Sequence, residues 1–268
     1  MSKINRTTIL ILSVITAALI IIVSLTGIFN PDLYSTESLN WKTQSIAQDK
    51  VDLFLIVPAL LITSIFVFLR NRKALLIWSG VLLYLVYTFI IYCFAVHFNQ
   101  LYPIYCLILG LCFYSLVYFF LHQPRFDQVK FDRWTMLTGI YFIIIAALFY
   151  FFWLSEILPA IQERETPASL TETGLPVNPV HSIDLALFLP GLFLAGISLI
   201  RKKSIGFLIA PIILVFFILM NLTIAFLALE LERKGMGTGQ TLAIIMVALA
   251  LISNVFLLIM LKKARYSH

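Results

Sequence analysis

The chain has 268 residues, 61% of them hydrophobic and only 12% charged, and a formal net charge of +6. Mean hydropathy is +1.00, so the apolar side chains exceed what one water-facing core could hide, and a soluble globule is excluded. Lipid must solvate much of the surface, which makes the lipid bilayer the first partner that the composition names.

Eight apolar runs follow one another at residues 8–29, 51–69, 74–97, 101–121, 135–154, 183–200, 204–229 and 240–261. Each approaches the ~20 residues a helix needs to cross ~30 Å of hydrocarbon. None alternates polar with apolar residues, so helices and not barrel strands are the spans. The first run, from Ile9 to Val23, is long for a signal peptide and lacks a small-x-small cleavage pattern; it reads as a retained helix.

A long outer loop is expected over residues 30–50. The second run then opens on Asp49 and Asp52, carries Pro58 and closes on the basic turn Arg70-Asn71-Arg72-Lys73. The third holds Tyr84, Tyr87 and Tyr92 and ends at His97 and Asn99. Cys93 and Cys106 flank the next turn at similar depth, so a disulfide or redox pair is conceivable there. Without a C-x-x-C spacing, plain packing thiols are the simpler reading. After the fourth run comes an inner linker, and after the fifth comes Glu156 in a second long outer loop, 155–182, whose four prolines suit a lid or plug over the bundle. The sixth run opens on His181 and Asp184, carries Pro190 and closes on Arg201-Lys202-Lys203-Ser204; Gly191 and Ala195 give it a small-residue face for close packing. The seventh ends at Glu230 and Glu232, and the glycine-rich turn 235–240 before the eighth reads as a flexible connection rather than a phosphate cradle.

Residues 51–70 (VDLFLIVPALLITSIFVFLR) and 183–202 (IDLALFLPGLFLAGISLIRK) match at Asp52 with Asp184 and Pro58 with Pro190. Loop lengths on either side match as well. The fold class is therefore an all-α polytopic membrane bundle of eight transmembrane helices with a 4+4 parallel internal repeat, the halves related by a pseudo-two-fold axis along the membrane normal. The expected units are 1–121, a cytoplasmic linker 122–134, and 135–268. No loop has room for a nucleotide-binding, kinase or protease domain.

Fourteen of the 19 Lys and Arg residues fall on the side of the termini, against two of the 13 acidic residues, giving that side a charge near +12 and the other near −6. The positive-inside rule then places both termini in the cytoplasm of a bacterial-type cytoplasmic membrane. The basic balance is a topology signal and calls for no nucleic acid. No sequence feature fixes the oligomeric state.

No ionisable residue falls mid-span, which weighs against a proton-driven pump. The polar candidates gather at the outer helix ends: Asp49, Asp52, His97, Asn99, Glu156, His181, Asp184 and Glu230. On the repeated frame Asp49 corresponds to His181 and Asp52 to Asp184. Each pair lies three residues apart on one helix face. Brought together they would make an acidic, His-containing pocket for a divalent metal or a cationic ligand. The plainer reading of Asp52 and Asp184 is that each caps the free N–H groups of its helix start. Pro58 and Pro190 free the carbonyls of Phe54 and Ala186 and kink their helices at matching depth, which can shape a cavity in the outer leaflet.

Three function classes compete, with transport the leading reading and the other two its alternatives. A transporter or facilitator for a small solute with an outward-facing polar pocket fits the duplication, and it requires a continuous polar path between the halves. A ligand-binding, sensory or accessory membrane protein requires a closed inner half and a pocket confined to the outer side. A metal-assisted membrane-embedded enzyme requires Asp49, Asp52, His181 and Asp184 to converge.

The string Asn178-Pro179-Val180-His181-Ser182-Ile183-Asp184-Leu185, with Gln48-Asp49 and Phe98-Asn99, resembles a recurrent group of bacterial multi-pass membrane proteins of uncharacterised function. The similarity runs from about residue 48 onward. It implies that the polar residues at the outer helix ends act as a unit, and it carries no activity, cofactor or substrate.

Overall fold

The computed structural model describes residues 5–122 and 131–263. Most of the expected linker 122–134 therefore lies outside the described residues. Among the described residues, eight helices are long and apolar enough to cross a membrane: Arg6–Phe29, Leu39–Phe68, Arg72–Ala95, Tyr102–His122, Arg133–Glu163, Pro179–Ile200, Ser204–Arg233 and Gly239–Lys263. They are called the first to eighth spans. Large apolar side chains such as Leu121, Phe151 and Ile244 stand on their outer surfaces, as lipid contact requires. The first span begins and the eighth ends at one face, here the terminal face, and the connections 30–38 and 164–178 lie at the far face.

Two expectations about the far face are corrected. The loop placed at 30–50 is much shorter, because the second span already starts at Leu39, capped by Ser38 Oγ accepting from Trp41 N at 3.1 Å. Likewise the fifth span continues through Pro159 to Glu163, and within the second loop Ala168–Thr173 forms one short helix, the strap. Asp49 and Asp52 thus sit inside a helix and cap nothing. Asp184 is no cap either: the sixth span is capped by Asn178, whose Oδ1 accepts from Val180 N and His181 N. Amphipathic stretches beyond the hydrocarbon continue a helix wherever a cap lies further out, and a hydropathy boundary does not mark where it ends.

Asp52 and Asp184 instead each open a single π-helical turn, Asp52–Ile56 and Asp184–Phe188. Val57 N bonds to Asp52 O in one, and Leu189 N to Asp184 O in the other. The proline next in sequence lacks an N–H and its ring crowds the carbonyl four residues back; one extra residue in the turn relieves both. Each of these spans ends alike. Arg70 and Lys202 take left-handed backbone, φ 70° and 56°, and Asn71 N → Phe66 O and Lys203 N → Ser198 O bonds close the two ends at 2.9 and 2.8 Å. Counting back 18 residues at ~1.5 Å each from these turns puts both aspartates about 27 Å from the terminal face, near the far edge of the hydrocarbon.

The first four spans pack in a ring, first to second to third to fourth and back to the first. The last four do the same, fifth to sixth to seventh to eighth and back to the fifth. The two rings meet where the third span packs on the seventh, the second on the seventh, and the third on the start of the sixth. Accordingly the third and seventh spans are the most buried, 72% and 61% of their apolar windows against 28–44% for the other six.

Glycines set the closest crossings. A Cβ on Gly80 would stand 2.8 Å from Ile212 O, tying the third span to the seventh, and one on Gly139 would stand 2.8 Å from Gly196 O, tying the fifth to the sixth. The small-residue contact expected at Gly191 is made by Gly196; a Cβ at Gly191 would meet nothing within 4 Å. At the terminal face Asp132 caps the fifth span and binds Lys263 of the eighth. That hydrogen bond, more than the capping bonds, holds the Asp132 carboxyl below the usual carboxylate range.

Candidate functional site

A cavity of about 530 Å³ opens between the two rings in the far half of the bundle. Its floor is aromatic: Phe188 of the second π-turn lies 4.1 Å from Phe216 and 5.6 Å from Phe217 between ring centroids, and the Tyr87 ring is 5.4 Å from Phe216. Val180, Ile224, Leu227 and Ala228 add apolar wall, Trp41 and Trp153 face it from the second and fifth spans, and the turn Met236–Gly239 edges it. Apolar walls exceed what the expected polar pocket would have.

The carboxylates and the histidine of the lining stand on the fifth and sixth spans. Asp184 is 7% exposed. Its Oδ1 accepts from Tyr87 Oη at 3.0 Å and its Oδ2 from Trp153 Nε1 at 2.9 Å. Trp153 also packs on the His181 ring, centroids 4.4 Å apart, and His181 Nε2 lies 3.7 Å from Glu156 Oε2. Glu156 Oε1 accepts from Ser169 N at 3.1 Å, which fastens the strap over the cavity. A second fastening joins the rings: Ser38 Oγ donates to Thr173 O at 2.7 Å.

From the first ring the lining residue that matters is Gln48. Its Nε2 donates to Asp52 Oδ1 at 2.9 Å and to Tyr84 Oη at 2.8 Å; Tyr84 Oη continues to Thr223 Oγ1 at 2.8 Å, and Thr223 donates to Leu219 O. Asp52 lies behind this chain, 1% exposed, with Oδ2 lacking a partner among the described residues. Asp49, fully buried, accepts from Tyr34 Oη and Tyr92 Oη, both at 2.8 Å. Burial, and then the Asp49 carboxylate, push the Tyr34 phenol well above its ordinary range, which keeps it a donor.

The eight candidates therefore divide. His181, Asp184 and Glu156 line the cavity; Asp52 adjoins it through Gln48; Asp49 is buried behind Tyr92, itself a lining residue, and Tyr34. His97 accepts nothing from the cavity: it pairs with Glu37 at 2.8 Å. Asn99 receives Leu101 N at 2.9 Å and so starts the fourth span, while Glu230 binds Lys50 at 3.0 Å and Arg233 at 2.7 Å. The divalent-metal grouping does not form: among the described residues no three His, Cys, Asp or Glu side chains stand together as a metal-binding set. Pro190 and its π-turn border the cavity through Asp184, Phe188 and Leu189, whereas the turn before Pro58 contributes no lining residue. Asn221 lines the cavity, and Asn254 is exposed on the eighth span. Cys93 and Cys106 are free thiols with sulfurs 3.9 Å apart, in weak S–H···S contact.

Trp41, Trp153 and Asn178 escaped sequence reasoning as lining residues, as did Glu37 as the His97 partner. An aromatic in a membrane helix signals core or interface with equal weight, so no pattern singled them out. Compared with known proteins, the chain matches no family model, no curated protein and no solved structure.

Proposed function

We propose that the chain is an integral membrane protein that binds a small amphipathic molecule in the cavity between its two four-helix rings, as the sensing or accessory element of a membrane system. The observation that carries this reading is a cavity of about 530 Å³ walled by both rings and floored by Tyr87, Phe188, Phe216 and Phe217, a size and lining typical of small-molecule sites. The apolar body of the ligand rests on that floor, and its polar group turns to Asp184, His181 and Glu156. The internal repeat and the cytoplasmic placement of both termini belong to the same proposal: matching π-turns, matching basic turns and matching ring contacts support the first, and the charge split supports the second. Gln48, Asn178, His181 and Asp184 stand in the strings that carry the resemblance to bacterial multi-pass proteins, and all four line the cavity.

Transport of a small solute is the second reading. Prolines and π-turns at equal depth in both rings favour it, because broken helices near a central interface are a recurrent device of alternating access. The close third-to-seventh crossing at Gly80, below the aromatic floor, favours binding.

The test uses purified protein in phosphatidylglycerol nanodiscs and three brominated dodecyl amphiphiles with trimethylammonium, maltoside and sulfate heads, read by quenching of Trp41 and Trp153. Saturable quenching by at least one of them, removed in Ala228→Phe with the fold retained by circular dichroism, is expected. If none saturates, or if the filled variant saturates equally, the cavity is no ligand site.

A further inference from the structure

We propose that the ligand of this cavity is a compact organic cation, an aromatic or single-chain amine, with Asp184 as its counter-charge. The proposal rests on the cavity reading above and adds the chemical class of what binds.

Three observations carry it. First, the described lining residues include two carboxylates, Asp184 and Glu156, and no Lys or Arg. Of the basic side chains at the far face, Lys50 and Arg233 both bind Glu230, and Lys42 Nζ donates to Pro31 O. Second, both oxygens of Asp184 are placed as acceptors. Trp153 Nε1 can only donate, and Tyr87 Oη donates to the other oxygen, so both carboxyl oxygens are acceptors. Two neutral donors orient that charge without cancelling it, and a carboxylate so withdrawn from water gains most from a cation brought beside it. The other titratable groups on the same wall are His181, which packs on the Trp153 ring, and Glu156, which is shared between Ser169 N and His181.

Third, the surrounding surface is aromatic. Trp41, Tyr87, Trp153, Phe188, Phe216 and Phe217 all face the same space. Aromatic faces attract organic ammonium groups and also accept their apolar substituents, a combination that favours amines over metal ions or hydrated inorganic cations. The volume selects among amines: about 530 Å³ suits a drug-sized molecule and is too small for the body of a two-chain lipid.

The titration of the three dodecyl amphiphiles tests this inference separately from the cavity reading. The trimethylammonium probe is expected to bind at least about tenfold more tightly than the maltoside, and the sulfate most weakly. Asp184→Asn should reduce that preference to less than about threefold. Should Asp184→Asn fail to fold, Glu156→Gln at the rim supplies the same comparison, with a smaller loss expected. Saturable, Ala228-dependent binding in which the maltoside or sulfate head equals or exceeds the cation overturns the cation assignment and leaves the cavity reading standing. A preference unchanged in the Asp184 variant overturns the role of Asp184. Displacement of the cation probe by phosphatidylethanolamine overturns the restriction to compact amines. If no probe saturates, the cavity reading itself fails.

Discussion

Asp52 and Asp184 begin from the same local sequence and end in different chemistry. Each stands six residues before a proline at one depth, yet Asp184 faces the cavity between Tyr87 and Trp153 while Asp52 is sealed behind Gln48. Tyr87 is 97 positions from Asp184 in the chain, so no local pattern could have announced the pairing. The residue type and the depth were legible; the partners were not. Asp49 is similar: its polarity was evident, but its place depends on Gly27, where an added Cβ would stand 1.8 Å from Asp49 Oδ2 and 3.0 Å from Tyr34 Oη. Gly27→Ala must therefore push the carboxylate off its two phenols. We expect it to lower stability by about 2–4 kcal/mol, combining overpacking with a lost buried acceptor, read as a fall in thermal midpoint in nanodiscs. An unchanged midpoint means that the Asp49 pocket yields without loss.

At the scale of elements, the recurring device is a proline that forces a π-turn. The sequence made Pro58 and Pro190 visible as kinks, but a kink and a π-turn have different consequences. One additional residue in a turn rotates everything before it by about 100° relative to a regular helix. In the sixth span that rotation aims Asp184 and Phe188 at the cavity; in the second it buries Asp52. Replacing the proline restores a donor that can close the regular bond to the freed carbonyl. Pro190→Ala is accordingly expected to weaken cation-probe binding by about tenfold, and Pro58→Ala to leave it within about twofold. Equal affinities for both variants and the parent chain would falsify the claim that the second π-turn aims the site. Helix existence and number could be read from hydropathy, while the far boundaries could not, because Leu39–Val51 and the end of the fifth span are helical beyond the apolar window. Caps at Ser38 and Asn178 and the left-handed Arg164 decide those ends.

For the whole molecule, the charge split gives the sharpest test of orientation. Lys203→Cys, in the basic turn of the terminal face, should react with a membrane-impermeant maleimide only when the cytoplasmic side is open, and Gly235→Cys, in the opposite turn, only from outside. The reverse labelling would invert the assigned topology. Composition alone determined that this chain lives in lipid, since 61% hydrophobic residues cannot be hidden in water, and periodicity-free apolar runs of span length determined eight helices. Those conclusions follow from local free energies of transfer, which each segment carries by itself. Which helices become neighbours is a different matter. In lipid every span is equally well solvated on its outer face, so association is decided by shape and a few hydrogen bonds: Gly80 against Ile212, Gly139 against Gly196, Tyr87 and Trp153 on Asp184. Only the tertiary structure brings the second, third, fifth, sixth, seventh and eighth spans around one cavity, because its walls come from residues that no sequence interval relates.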